Sequence, residues 1–333
     1  MSGGNASNTE LASQVLEGDR RALARAITLI ESNRPQDREP ARLLLEELVP
    51  HSGKSMRVGI SGVPGVGKST FIESLGNHLI DKGHKVAVLA VDPSSAVSGG
   101  SILGDKTRME KLSQREEAFI RPSPAGETLG GVARRTRETM LTVEAAGFDI
   151  VLVETVGVGQ SETTVSRMTD MFILMLLPGG GDELQGIKRG IVELADMILV
   201  NKADGALELT AEQSVTDYQK ALGFMHPRAA NWEVPVEACS SLKGDRTGHI
   251  WGIVEQYRES REAADLIAQT RSEQARNWMW NEIRSGLLEK LQTNPAVAAR
   301  IAELEEAVMN NQLSPTSAAE ELMQTFLESA AKD

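Results

Sequence analysis

Gly62-Val63-Pro64-Gly65-Val66-Gly67-Lys68-Ser69-Thr70 is the stretch on which the reading of this 333-residue chain turns. It fits the pattern G-x-x-x-x-G-K-[ST], with Gly62, Gly67, Lys68 and Ser69 at the defining places. Glycines let the backbone curl so that several N–H groups converge on phosphates lying at the positive end of the following helix. Lys68 can reach β- and γ-phosphates, and the Ser69 hydroxyl can ligate Mg²⁺. A glycine-rich turn can match so short a pattern by chance, so the flanks decide. Met56 to Ser61 reads as a strand before it, and Phe71, Leu75 and Leu79 mark one helical face after it. Strand, loop and helix together predict a nucleoside triphosphate site.

Working outward, residues 1–50 read as a helical extension. Leu16, Leu23, Ile27 and Ile30 recur at helical spacing, Pro35 and Pro40 punctuate, and Leu43, Leu44, Leu45 and Leu48 form a second short helix. Residues 51–262 alternate strand and helix, which predicts a three-layer α/β/α domain around a mostly parallel sheet. Its strands are expected at Met56 to Ser61, Val86 to Val91, Ala118 to Arg121, Ile150 to Val153, Met171 to Leu177, Met197 to Val200 and Glu233 to Ala238. Helices are expected near Val132 to Ala146, Glu183 to Ala195, Ala211 to Leu222 and Thr247 to Tyr257. In residues 263–333 the strands stop. Met279, Ile283 and Leu287 keep helical spacing, as do Val297, Ile301, Leu304 and Val308, and Asn294-Pro295 and Ser314-Pro315 read as caps followed by proline. Helices without a sheet partner need packing to be stable, so this segment is expected to be a homodimerisation arm, with Trp278 and Trp280 as core or interface anchors.

Composition narrows the function. A formal charge of −12 argues against broad binding to nucleic acid or an anionic membrane. The one cysteine, Cys239, permits no intramolecular disulfide and suits a reducing compartment. The strongest apolar run, Met171 to Leu177, is too short for a membrane span, and Met1 to Asn8 lacks the features of a leader; a cytoplasmic location is the expectation.

Four further stretches carry chemistry. Asn201-Lys202-Ala203-Asp204 follows the apolar strand ending at Val200 and matches the N-K-x-D signature that reads guanine. The Asp204 carboxylate can accept hydrogen bonds from the guanine N1–H and 2-amino group, and adenine presents no matching pair of donors. Asn201 can bridge base and loop, and the Lys202 stem can cover the base plane. Ser240-Ser241-Leu242 after the last strand resembles the companion loop that contacts the guanine O6, so GTP and GDP are expected over adenine nucleotides. Phe148 to Val153 is an apolar strand ending in Glu154-Thr155-Val156-Gly157, where the carboxylate can hold Mg²⁺ and the Gly157 amide can sense a γ-phosphate. The Gly157 to Glu162 run, with Gln160, would order around that phosphate. Asp92 ends the strand from Val86, on the edge where open parallel sheets take ligands, and Asp105 lies in a glycine-flanked loop able to approach Mg²⁺ or an attacking water. Gly179-Gly180-Gly181 leads to Gln185 and Lys188, a segment able to sense nucleotide or partner.

Taken together, Gly62 to Thr70, Asp92 to Ser95, Ser98 to Arg108, Glu154 to Glu162 and Asn201 to Asp204 closely resemble the MeaB/ArgK-type GTPases, relatives of the methylmalonic aciduria type A protein. Gly18 to Ile27 resembles the same family's N-terminal helical run. Glu154, where common GTPases carry Asp, is that family's own variant. The resemblance implies a homodimer that associates with adenosylcobalamin-dependent methylmalonyl-CoA mutase. It further implies that GTP binding and hydrolysis gate cofactor delivery and protect or reactivate the mutase. By the same resemblance Ser69, Asp92, Asp105 and Glu154 would be the metal set, Lys68, Asp105, Glu154, Gln160 and Lys188 the candidate catalytic groups, and loops near Asp105, Gln160 and Lys188 the switches. Two alternatives stay open: a metal-insertion GTPase, against which His51, His78, His84, His226 and His249 are dispersed without paired spacing, and a small-molecule or protein kinase.

Overall fold

Continuous apolar runs such as Val86–Val91 and Met171–Leu176 are strands buried on both faces, and every residue in each is buried. The computed structural model describes residues 3–91, 109–122, 129–155, 161–179, 189–223, 232–244 and 246–330. Seven strands build one sheet: β1 (Met56–Gly62), β2 (Val86–Val91), β3 (Ala118–Arg121), β4 (Ile150–Thr155), β5 (Met171–Leu176), β6 (Met197–Val200) and β7 (Val236–Ala238). Their order is β3-β2-β4-β1-β5-β6-β7, and every pairing is parallel. The expected α/β/α architecture is what the chain adopts. From β1 the chain winds out to β2 and β3 on one side and later to β5, β6 and β7 on the other. The carboxyl end of β1 therefore lies where the winding reverses, the usual ligand crevice of such sheets.

Helix α4 (Lys68–Asp81) follows β1 and packs Phe71, Ile72, Leu75 and Leu79 on the sheet beside α10 (Thr247–Ala263), which contributes Ile250, Trp251 and Val254. The short α5 (Glu110–Ser113) joins that face through Leu112. Between sheet strands run α6 (Leu129–Ala145), α7 (Ser161–Ser166), α8 (Arg189–Val192) and α9 (Glu208–Leu222). Of the helix expected at Glu183 to Ala195, the described part begins at Arg189, and α8 ends at Val192 in a turn that leads to β6, short of Ala195.

The N-terminal segment differs from its reading in detail. It forms three helices, α1 (Gly3–Leu16), α2 (Arg20–Ile30) and α3 (Pro35–Leu48), not two. Asp19 caps α2 by accepting from the Ala22 N–H at 2.6 Å, which divides the first run at Gly18-Asp19. Pro40 punctuates nothing: α3 runs through it. One turn into a helix the proline forfeits a single bond to the carbonyl of residue 36, and burial of Leu44 and Leu48 holds the remainder. These helices pack on α6 and reach the sheet edge, where Arg121 of β3 pairs with Glu31 and Arg20 donates to the Glu116 carbonyl at 2.6 Å.

At the amino ends of the strands lies a buried charged network. Arg57 of β1 donates to Glu144 of α6 at 2.6 and 2.8 Å, and Glu144 also accepts from the Gly53 N–H at 2.7 Å and from Ser55. Arg271 donates to Asp170 at 2.6 and 2.8 Å and to the Ser55 carbonyl at 2.6 Å.

Two compact units result, Met1–Arg271 and Ser272–Asp333. Helix α11 (Leu266–Thr293) runs through that division. In the second unit α12 (Pro295–Met309) and α13 (Pro315–Ala330) form a hairpin around Val297, Leu304 and Ala318. Asn294 caps α12 through the Ala296 and Val297 amides, and the Ser314 hydroxyl accepts from the Ser317 N–H at 3.0 Å, as the Asn-Pro and Ser-Pro steps predict. Trp280 belongs to no core: it is exposed, as are Met279, Ile283, Leu287 and Leu288.

Candidate functional site

Backbone geometry around Gly62–Thr70 is that of a phosphate cradle. Gly67, with φ +99°, caps α4, so the helix begins at Lys68 and its first amides point into the loop. A Cβ on Gly67 would lie 2.6 Å from Asn201 Nδ2, and one on Gly62 only 2.3 Å from the Met175 carbonyl oxygen. Both positions therefore demand glycine. Lys68 is buried, and its Nζ donates to the Gly62 carbonyl at 2.7 Å and to that of Val63 at 3.4 Å, holding the ammonium at the mouth of the loop. Pro64, Gly65 and Thr70 are exposed on its outer side.

Glu154 faces this loop. The sequence places it at the end of an apolar strand; in the structure β4 continues through it to Thr155, pairing Glu154 with Ile60 on one side and Ala90 on the other. Ile150 and Leu152 share its face and pack with α4, so strand alternation turns the buried Glu154 carboxylate toward the α4 amino end. The Ser69 hydroxyl donates to Glu154 Oε1 at 3.0 Å. A serine hydroxyl and a carboxylate converging beside a phosphate loop are hard oxygen donors of the kind Mg²⁺ takes, so the residues present fit that ion. Asp92, Asp105, Gly157, Gln160 and Lys188 lie outside the described residues, and among those described no group of three His, Cys, Asp or Glu side chains gathers anywhere.

The third component is the loop pair after β6 and β7. Asn201 is buried, and both ends of its amide are taken up by protein: Nδ2 donates to the Val66 carbonyl at 2.7 Å, and Oδ1 accepts from the Ser241 N–H at 3.0 Å and hydroxyl at 2.8 Å. Asn201 thus pins two loops together, with Cys239 Sγ 3.6 Å from the same oxygen. Asp204 is half-buried and accepts from the Ser240 hydroxyl, which itself accepts from the Lys243 N–H at 3.3 Å. Ser240 therefore orients the carboxylate. Lys202, at φ +61°, is exposed in a left-handed conformation, and Leu242 is 83% exposed. Sequence spacing alone does not reveal the Ser240 contact or the use of Val66, because each depends on two loops meeting.

A known family matches most of the chain. The description "Methylmalonyl Co-A mutase-associated GTPase MeaB" matches residues 23–296 of this chain. The chain belongs to the MeaB family of GTPases. A protein of Caulobacter vibrioides named as a GTPase is 52% identical over 313 residues, covering 94% of this chain and 96% of that protein. The mouse methylmalonic aciduria type A homolog, a mitochondrial protein, is 45% identical over 322 residues, covering 94% of this chain and 78% of the relative. Among solved structures, one described as a LAO/AO transport system kinase superposes with a TM-score of 0.77 at 36% identity, covering 96% of this chain and 97% of that one. The chain is accordingly a guanine-nucleotide-binding P-loop enzyme that hydrolyses GTP. Among the described residues no helix is long and apolar enough to cross a membrane.

Proposed function

We propose that this chain is a Mg²⁺-dependent GTPase that acts as a chaperone for an adenosylcobalamin-dependent methylmalonyl-CoA mutase, gating cofactor delivery and protecting or reactivating that enzyme. The contact between Ser69 and Glu154 at the head of the phosphate loop carries the enzymatic half of this reading. The family's description as mutase-associated and the mouse relative's name support the partner.

In this reading the loop amides from Gly62 to Thr70 and the Lys68 ammonium bind the β- and γ-phosphates. Asp204, held by Ser240, accepts the guanine donors, the Lys202 stem lies against the base, and Ser241 with Leu242 borders its O6 edge. Ser69 and Glu154, with Asp92 and Asp105, would hold Mg²⁺, which when bound neutralises the charge that develops on the phosphates. Water attacks the γ-phosphorus, the bond to the bridging β–γ oxygen breaks, and GDP and inorganic phosphate leave. Positioning of that water would fall to Asp105 or Gln160, the Gly157 amide would sense the γ-phosphate, and the segment carrying Lys188 would sense nucleotide or partner.

The C-terminal arm is assigned as the homodimer contact. Met279, Ile283 and Leu287 repeat every four residues along α11 and are all exposed, an apolar stripe that a second copy would cover. A cytoplasmic location rests on composition, since the single Cys239 permits no intramolecular disulfide.

GTP turnover measured with and without purified mutase tests the proposal. Turnover should rise at least about tenfold on adding the partner, which completes or orders a GTPase site that is slow alone. Unchanged turnover and unchanged nucleotide affinity would remove the chaperone reading. A labelled product other than phosphate from γ-labelled GTP would favour a kinase.

A further inference from the structure

Strands β1 and β4 run in register from Met56–Ile150 to Ile60–Glu154 and then part. Beyond that point β1 stays with β5 as far as Gly62–Met175, and β4 stays with β2 as far as Val91–Thr155. At this fork the next rung is made by side chains: the Thr155 hydroxyl donates to Ser61 Oγ at 2.8 Å. Both residues have no exposed surface, and Val58, Ile60, Val151, Leu152 and Val153 of the same two strands are buried with them. A valine and an alanine would fill such a place without leaving any polar group to satisfy, so the hydroxyl pair specifies geometry that apolar packing would not.

Its neighbours are the two halves of the nucleotide site. Thr155 follows Glu154, whose carboxylate meets Ser69 at 3.0 Å, and Ser61 precedes Gly62, whose carbonyl holds Lys68 at 2.7 Å. Widening the fork would separate the metal-holding carboxylate from the root of the phosphate loop. We infer that Ser61 and Thr155 form a positioning pair for GTP hydrolysis, a buried clasp that fixes Glu154 relative to Ser69 and Lys68. This rests on the reading of Glu154 and Ser69 as the metal shell.

The test compares the full chain with Thr155→Val, Ser61→Ala, the double variant and Thr155→Ser. It follows steady-state GTP turnover, the Mg²⁺ concentration that half-retains a fluorescent guanine nucleotide, and thermal stability. Thr155→Val should lower kcat about tenfold with KM for GTP within about threefold, because groups shifted at the reacting centre lose rate more than binding. The Mg²⁺ midpoint should rise severalfold. Thr155→Ser should restore both, and the double variant should be no worse than Thr155→Val, since the two hydroxyls act as a unit. A folded Thr155→Val protein with wild-type kcat and Mg²⁺ midpoint overturns the inference, as does one in which only the melting temperature falls. Wild-type protein that neither retains the nucleotide nor hydrolyses GTP overturns the underlying site reading as well.

Discussion

Gly65 and Gly67 both have positive φ, yet only one is crowded. A Cβ on Gly65 meets nothing within 4 Å, whereas one on Gly67 would press on the Asn201 amide that holds the Val66 carbonyl. Gly65→Ala should therefore meet only backbone strain of about 1–2 kcal/mol, while Gly67→Ala also breaks the pin between the phosphate loop and the loops after β6 and β7. Calorimetric titration with GDP should show the Gly67→Ala loss to be at least about tenfold greater, since a buried amide left unpaired costs about 1–3 kcal/mol. Base reading is a separate matter. Asp204→Asn should weaken GTP binding about a hundredfold or more while leaving inosine and adenine nucleotides less affected, because an amide cannot accept both guanine donors. Competition with a fluorescent nucleotide measures it. Lys68, Ser69, Glu154 and Asp204 were legible in the chain because their spacing within a motif is itself the signal. Ser61 and Thr155 were not. A serine before a glycine loop and a threonine after an acid carry no pattern until the two strands lie side by side.

At the scale of elements, the carboxyl end of α6 is tied to β1 by Glu144 and Arg57, an ion pair with side chains 1% and 4% exposed. Burial would push the Glu144 carboxyl up, but hydrogen bonds and charge from Arg57, with Ser55 and the Gly53 amide, outweigh it and hold the group below its ordinary 4.5. A depressed carboxyl stabilises the fold above its unfolded value and loses that contribution as pH falls through the lower folded value. Glu144→Gln should thus be destabilised by about 3–5 kcal/mol at neutral pH, because Arg57 is left buried without its counter-charge. Urea unfolding of both proteins should show the difference narrowing only below about pH 4.5, as protonation disables the wild-type pair. A constant difference down to pH 3 would contradict the assignment. Strands such as Met197–Val200 matched their expected limits because burial on both faces leaves an uninterrupted apolar run. The ends of β1, β4, β5 and β7 did not: Gly62, Glu154 and Thr155 extend strands through neighbours' hydrogen bonds, Leu177 falls just beyond β5, and of residues 233–235 Pro235 reaches β6 by its carbonyl, which accepts from the Ile198 N–H at 2.9 Å, while β7 begins at Val236.

For the whole molecule, the unexplained surface is the second unit, where Met279, Ile283 and Leu287 on α11 and Met323 and Leu327 on α13 are exposed. If a second copy covers the α11 stripe, light scattering of the wild type should give twice the 36.0 kDa of one chain. Ile283→Asp combined with Leu287→Asp should return it to one, since two buried charges oppose an interface whose gain is about 25 cal/mol per Å² of apolar surface. Unassisted GTP turnover by the resulting monomer should persist, because every described site residue belongs to the first unit. The amino-acid sequence by itself determined that a phosphate loop lies between a strand and a helix, that guanine is the base, and that a parallel sheet carries both, because motif spacing and hydrophobic period are local properties of the chain. Only the tertiary structure decided which atoms meet. Asn201 clasps Val66, Ser240 turns Asp204, Glu154 reaches Ser69, and Thr155 bonds Ser61 across the fork. Each contact joins residues at least 36 positions apart, so it arises from strand order and register, which no local pattern encodes.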